Sequence, residues 1–446
     1  MDLKRKAYDQ LLEWKEKYQG RRAVLLEGPR RVGKSYLARM FGEKEYASYI
    51  LIDFSNPLKG VMELFEDGLD DMDLFFNRLS AFYGTKLYRR NSLIIFDEVQ
   101  RYPHARELIK HLVEDGRYDY LETGSLISIK ANIENIVIPS EEKSLRINPL
   151  DFEEFLWALG NESLYPLIKR SFDTRTPMGD AMHRKAMNAY RQYILIGGMP
   201  QAVISYVSNK DFELADEEKR DILNLYRNDI RKFAKGYHTK VLSIFDDVPQ
   251  QLSKKEKKFN LSSIEKDARM REYEDSFVWL ADGHIINPCF NSTDPTVGLA
   301  LNMDRLTQKC YMADTGLLVT MVFNDNDITD NDVYRAILSD RLHVNEGMIT
   351  ENFVAQSLVA SGHRLFFYSR YGNDKEDRME IDFLIVRSRK ICPIEVKSSK
   401  NIRHTSLDKF RSKFSSRIGE SFILYPGDVK TQDGIQCLPI YMAGLL

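Results

Sequence analysis

The stretch that decides the fold runs from Leu25 to Phe41, "LLEGPRRVGKSYLARMF". Gly28 and Gly33 are separated by four residues, Lys34 and Ser35 follow at once, an apolar run precedes them and a helix-like run comes after. The spacing predicts a loop whose backbone N–H groups converge on phosphate oxygens, completed by the positive N-terminus of the following helix. The expected nucleotide contacts are Gly28, Pro29, Arg30, Arg31, Val32, Gly33, Lys34, Ser35 and Tyr36. Lys34 is expected to neutralise the β- and γ-phosphates of ATP, and Ser35 to ligate magnesium.

Working outward, further apolar runs alternate with helical segments. "SYILIDFSN", "NSLIIFDEVQ" and "YDYLETGSLIS" read as strands, and "ARELIKHLVEDG" reads as a helix. Continuous apolar strands alternating with helices imply a parallel α/β sheet. "LIIFDE" ends in Asp97 and Glu98. Asp97 is placed to help hold the metal, and Glu98 to polarise the attacking water. Thr123 or Ser125, at the tip of the next strand, is a candidate γ-phosphate sensor. Arg30, Arg31, Arg101 and Arg146 are finger or sensor candidates, Arg146 first among them because it precedes "INPLDFEEFL".

From about Asp151 the pattern turns helical, with a break at "GGMP", Gly197–Pro200. "LSSIEKDARMREYEDSFVWL" suggests a recognition helix followed by a packing helix, although Gln251–Asp275 carries seven basic and six acidic residues where a major-groove helix is usually more basic. The last part returns to strands.

There "MEIDFLIVRSRKICPIEVKSS" places Asp382, Glu395 and Lys397 in two apolar runs joined by "RSRK". Strand period two puts Glu395 and Lys397 on one face, and a hairpin brings Asp382 beside them. Glu351 is offered by the helical "NEGMITENFVAQSLVASG". Two acids and a lysine are what a magnesium-dependent phosphodiesterase uses, Asp382 and Glu395 holding metal. A solvated strand with charges at its edge accounts for the same spacing, so both readings stand. The segment from residue 346 onward is slightly more basic than acidic, which is compatible with nucleic acid.

The bulk numbers set bounds. A chain of 446 residues carries two to four domains, and a formal net charge of −2 argues against a globally basic coat for nucleic acid. Four scattered cysteines with no CxxC pair indicate reduced thiols and a cytoplasmic setting, and no run of apolar residues is long enough to span a membrane. Eight scattered histidines form no HExxH pattern.

Taken together, "GPRRVGKS", "IIFDEVQ", "LETGSL", "INPLDFEEFL", "YILIGGMPQAV", "YRNDIRKFA", "YMADTGLL", "ENFVAQSL", "EIDFLI" and "IEVKSS" carry a resemblance over nearly the whole chain. The sequence resembles the prokaryotic AAA-type ATPases, close to the archaeal-ATPase and STAND groups, that carry a C-terminal PD-(D/E)xK restriction-endonuclease-like domain of unknown function. The resemblance implies an α/β multidomain protein: an ASCE/AAA-like P-loop NTPase core over residues 1–160, a helical lid over 161–236, a winged-helix-like unit over 237–305 and a nuclease-like domain over 306–446. It implies ATPase activity with ATP and Mg2+, Walker A roles at Gly28, Gly33, Lys34 and Ser35, Walker B roles at Asp97 and Glu98, and a nuclease-like motif at Glu351, Asp382, Glu395 and Lys397. DNA is the candidate partner of the winged-helix-like and C-terminal domains. The alternative is an ATP-dependent switch or a signalling or defence NTPase with a catalytically silent interaction module. The literal Pro-Asp of the nuclease motif is absent, since Ile381 precedes Asp382, and no second-sensor arginine is placed that would imply a ring.

Overall fold

The computed structural model describes residues 2–66, 71–125, 140–254, 258–323, 334, 335, 338, 346–370 and 378–446. It divides into two compact units. The smaller takes in residues 4–148 with 282–284, and the larger 149–281 with 285–446 and the first three residues.

The smaller unit runs α1 (Lys6–Tyr18), β1 (Ala23–Glu27), α2 (Lys34–Glu45), β2 (Ser48–Asp53), α3 (Val61–Glu66), α4 (Met72–Tyr83), β3 (Ser92–Asp97), α5 (Pro103–Asp115), β4 (Asp119–Gly124) and β5 (Glu142–Arg146). The strands form one parallel sheet in the order β2-β3-β4-β1-β5. Strand alternation divides the side chains between two cores. Leu25, Ile50, Ile52, Ile94, Phe96 and Tyr120 pack with α3, α4 and α5, while Val24, Leu26, Leu93, Ile95 and Leu121 pack with α1 and α2. Each such Leu, Ile or Phe contributes about 1.5–3 kcal/mol by leaving water. This is why β3 reads as an apolar run, Leu93–Phe96, and why β4 is buried along its whole length although it carries Asp119, Glu122 and Thr123. The expected strand "YDYLETGSLIS" is present as β4; residues 126–128 of it lie outside the described residues. The sequence reading missed β5. Its residues "EKSLR" are partly or fully exposed, so an edge strand there leaves no apolar signature.

The larger unit begins with helices α6 (Phe152–Ala158), α7 (Leu164–Thr174), α8 (Asp180–Ile196), α9 (Pro200–Asn209), α10 (Phe212–Phe233), α11 (His238–Ser253) and α12 (Glu274–Asp282). β6 (Ile286–Ser292), β7 (Met303–Met312), α13 (Thr315–Val322), α14 (Glu346–Ala360), β8 (Phe366–Arg370), β9 (Met379–Arg387), β10 (Lys390–Val396), α15 (Thr405–Lys413), β11 (Phe422–Tyr425), β12 (Lys430–Gln432) and β13 (Ile435–Pro439) follow. Its eight strands form one mixed sheet in the order β12-β13-β11-β10-β9-β8-β6-β7.

The division read from sequence differs from this one at three places. The first boundary falls near 148 rather than 160, because α6 belongs to the larger unit. Asp151 opens α6 with a reciprocal capping box to Glu154, and Leu150 pairs with Gly198 through N–H···O at 2.7 Å. The boundary at 305 falls within β7, a strand of the single larger sheet that pairs antiparallel with β6. The recognition helix is not formed. Residues 261–263 and 270–272 are short 3₁₀ turns, and the regular helix in that stretch is α12. Local bonding competes there with a helix: the Gln251 amide holds both N–H and C=O of Asn260, and the Asn260 side chain accepts from Ser262 N–H.

The "GGMP" break is a close-packed knot. A Cβ on Gly197 would stand 2.2 Å from Asp314 Oδ1, and one on Gly198 2.1 Å from the Leu150 carbonyl oxygen. Asp314 accepts from Gly198 N–H at 2.6 Å and from Leu317 N–H at 2.9 Å, so "YILIGGMP" and "YMADTGLL" hold each other.

Candidate functional site

In the smaller unit the loop between β1 and α2 has the geometry the spacing predicts. Gly28 approaches the neighbouring backbone so closely that a Cβ would stand 2.2 Å from the Ile147 carbonyl oxygen. Gly33 has φ +91°, in the left-handed region, immediately before α2 begins at Lys34. Pro29 and Val32 are buried, Arg31 and Tyr36 exposed, and Arg30 lies between.

Sheet order brings the other site residues to this loop. With β4 between β1 and β3, Thr123 lies in register with Leu26 of β1 and follows Glu122, the partner of Phe96. Asp97 Oδ1 accepts from Ser35 Oγ at 2.6 Å and from Thr123 Oγ1. Two hard oxygen donors, Ser35 and Asp97, thus meet at one point, which fits magnesium chemistry. The Lys34 ammonium donates to the carbonyl oxygens of Gly28 and Pro29, both at 3.0 Å. Burial draws its pKa from the ordinary 10.5 down to about 8, against the opposing pull of Glu98 and Asp97.

Glu98 takes φ 56°, ψ 43°, a left-handed conformation uncommon for such a residue. Its N–H donates to Thr123 Oγ1 at 3.2 Å, and its carboxylate accepts from Gln100 Nε2 at 2.6 Å. Gln100, buried on the 3₁₀ turn Val99–Arg101, was not singled out in the sequence. Its position two residues past the acid, in a polar turn, was the available signal. Of the arginine candidates, Arg146 sits on β5 in register with Glu27, while Arg101 is exposed at the end of the Glu98 turn.

In the larger unit the expected hairpin is present. Arg387 pairs with Lys390, and Ser388 and Arg389 both have positive φ, the geometry of a two-residue type I′ turn. Asp382 on β9 accepts from Val396 N–H at 2.8 Å. Glu395 forms an ion pair with Lys397 at 2.8 Å, and its pKa is raised by burial against the opposing Lys397. Glu351 lies on α14, a helix buried on nearly every side, and accepts from the Tyr311 hydroxyl.

The sequence reading also missed Lys309. This lysine on β7 is 1% exposed and lies 2.8 Å from Glu380, 3.6 Å from Glu351 and 4.0 Å from Asp382. Burial disfavours its charge, but the three carboxylates outweigh that and hold its pKa above the usual value. A lone Lys inside the apolar run "KCYM" was the sequence signal. Among the described residues, no three His, Cys, Asp or Glu side chains gather as a metal-holding group.

Three comparisons bear on these sites. Residues 20–156 match the family described as an AAA domain, and this supports an AAA-type ATPase that binds and hydrolyses ATP. Residues 187–328 and 346–443 match two domains of unknown function, DUF8612 and DUF4143, and neither carries a nuclease identity. No curated protein matches the sequence. Among solved structures, the chain is similar to the Walker-type ATPase PABY2304 of Pyrococcus abyssi, at 14% identity over 72% of this chain and 96% of that one, with a TM-score of 0.43. It is also similar to the Thermotoga maritima RuvB Holliday junction branch migration motor, at 13% identity over 64% and 89%, with a TM-score of 0.30. At these scores the likeness carries no argument. No helix among the described residues is long and apolar enough to cross a membrane.

Proposed function

We propose that the smaller unit binds ATP with magnesium in the Gly28–Ser35 loop and hydrolyses it with Glu98. The observation that carries this reading is the convergence of Ser35, Thr123 and Asp97 beside the buried Lys34 ammonium. Backbone N–H groups of the loop cradle the phosphates, and Lys34 exchanges its two carbonyl partners for phosphate oxygens. Ser35 and Asp97 would hold the magnesium ion, which when bound supplies neutralisation of phosphate charge. Glu98, held by Gln100, orients the water that attacks the γ-phosphate, and Thr123 links that acid to Asp97. Tyr36, half exposed one residue beyond Ser35, would contact the remainder of the nucleotide.

Replacing Glu98 by Gln keeps the shape of the site and removes its base. ATP affinity by calorimetry is expected to hold within about twofold while turnover falls by about 10²–10⁴-fold. Full turnover in Glu98→Gln would remove this residue from the mechanism.

For the larger unit, one observation favours a catalytically silent module that nucleotide state addresses over a nuclease. Asp382, one of the two acids expected to hold metal, already faces a further lysine, Lys309, at 4.0 Å. Linear and circular DNA should stay intact with magnesium or manganese, with and without ATP. Cleavage abolished by Lys397→Ala would restore the nuclease reading.

A further inference from the structure

The larger unit contains a buried charge that the ATPase chemistry does not use. An ammonium taken out of water is stabilised only by close counter-charges and hydrogen bonds. Lys309 has such surroundings on several sides. Glu380 lies 2.8 Å away, Glu351 3.6 Å and Asp382 4.0 Å, and the ring centroid of Phe367 lies 4.9 Å from its nitrogen. The acids are themselves held in place. Tyr311 donates to Glu351, and the Val396 N–H donates to Asp382. Cys289, opposite Lys309 in the β6–β7 register, is buried.

Asp382 is one of the two acids, with Glu395, that the sequence reading assigned to hold metal, and Glu351 belongs to the same nuclease-like motif. A divalent ion needs several oxygens within about 2.0–2.6 Å and leaves coordination positions open for water and phosphate. An ammonium supplies one positive charge, sits farther from each oxygen and opens no such position. The side chains of Glu380 and Asp382 are 30% and 22% exposed, while that of Lys309 is 1% exposed.

We propose that Lys309 is a built-in cation standing where Glu351 and Asp382 would otherwise hold a divalent metal, so that this domain is metal-independent. The lysine comes from β7, the acids from α14 and β9, so the arrangement is a property of the assembled sheet rather than of the hairpin.

The test is Mn2+ binding by the nucleotide-free full chain, read as loss of the free-ion EPR signal. Four proteins are compared: wild type, Asp382→Asn, Lys309→Met, and Lys309→Met with Asp382→Asn. Wild type and Asp382→Asn are expected to bind equal amounts, since any contribution of the P-loop is common to both. Lys309→Met is expected to gain one ion per chain, and the added Asp382→Asn to abolish that gain. Loss of an ion on Asp382→Asn in the wild-type background would overturn the proposal, because metal would then share the cluster with the lysine. A folded Lys309→Met chain that gains no ion would also overturn it. If Lys309→Met unfolds, the first pair of proteins still decides, and Mn2+ is then expected to raise the folded fraction of Lys309→Met; no rise counts against the proposal.

Discussion

Lys34 and Lys309 are both buried lysines with acids nearby, and they are held in opposite ways. The Lys34 ammonium rests on two backbone carbonyls, with Asp97 and Glu98 acting on it only through space. Neutral carbonyl partners can be given up for a phosphate with little loss, and burial has already lowered the cost of removing the proton. Lys309 is clamped by three carboxylates. Its charge is spent on them, and the proton is held more tightly than in water. Proximity of a lysine to acids therefore does not define a site. What matters is whether its partners leave the charge available to a ligand.

The sharpest way to break this contrast is to remove each lysine in turn. Lys34→Ala is expected to cut turnover by about 10²–10³-fold and abolish tight ATP binding while leaving the thermal midpoint near wild type. Lys309→Met is expected to behave inversely, costing about 3–5 kcal/mol of stability by taking this counter-charge from the buried Glu351. Residual folded Lys309→Met protein should turn over ATP normally. Parallel calorimetry and thermal melts read both, and a Lys309→Met chain of wild-type stability would erase the distinction.

A smaller effect is expected at Gln100. Gln100→Leu removes one charge-assisted hydrogen bond to Glu98, so kcat should fall about tenfold with KM unchanged. A change in KM instead would place Gln100 in nucleotide binding.

The smallest effect concerns pH. Lys34 carries its charge below about 8 and loses it above, because burial lowers its pKa. ATP affinity should therefore weaken as pH rises past about 8, by no more than about tenfold per pH unit. A flat affinity profile over that range would mean that the ammonium stays charged.

Much of the smaller unit was legible because its signals are local. Strands β1 to β3 carry apolar runs bounded by turn residues, and β4 announced itself through Tyr120 and Leu121 ahead of a polar tip. The edge strand β5 did not, since it buries too little. In the larger unit the Arg387–Lys390 hairpin was legible from two apolar runs and a polar turn. The stretch 261–273 was not, because the Asn260 side chain, on a residue that Gln251 itself holds, accepts from the Ser262 N–H at its start in place of a helical bond. The "GGMP" and "ADTG" motifs were noticed as motifs, but their use as two halves of one packed contact needed both to be in place.

By itself the sequence determined the Gly28–Ser35 loop and the Asp97–Glu98 pair that the proposed ATP chemistry uses, because a loop built for phosphate recognition by backbone groups depends on contiguous residues with fixed conformational demands. Only the tertiary structure decided the fate of the second set of acids. Glu351, Glu380 and Asp382 meet a lysine from a strand some forty to seventy residues away in sequence, and charge compensation acts through space without regard to chain order.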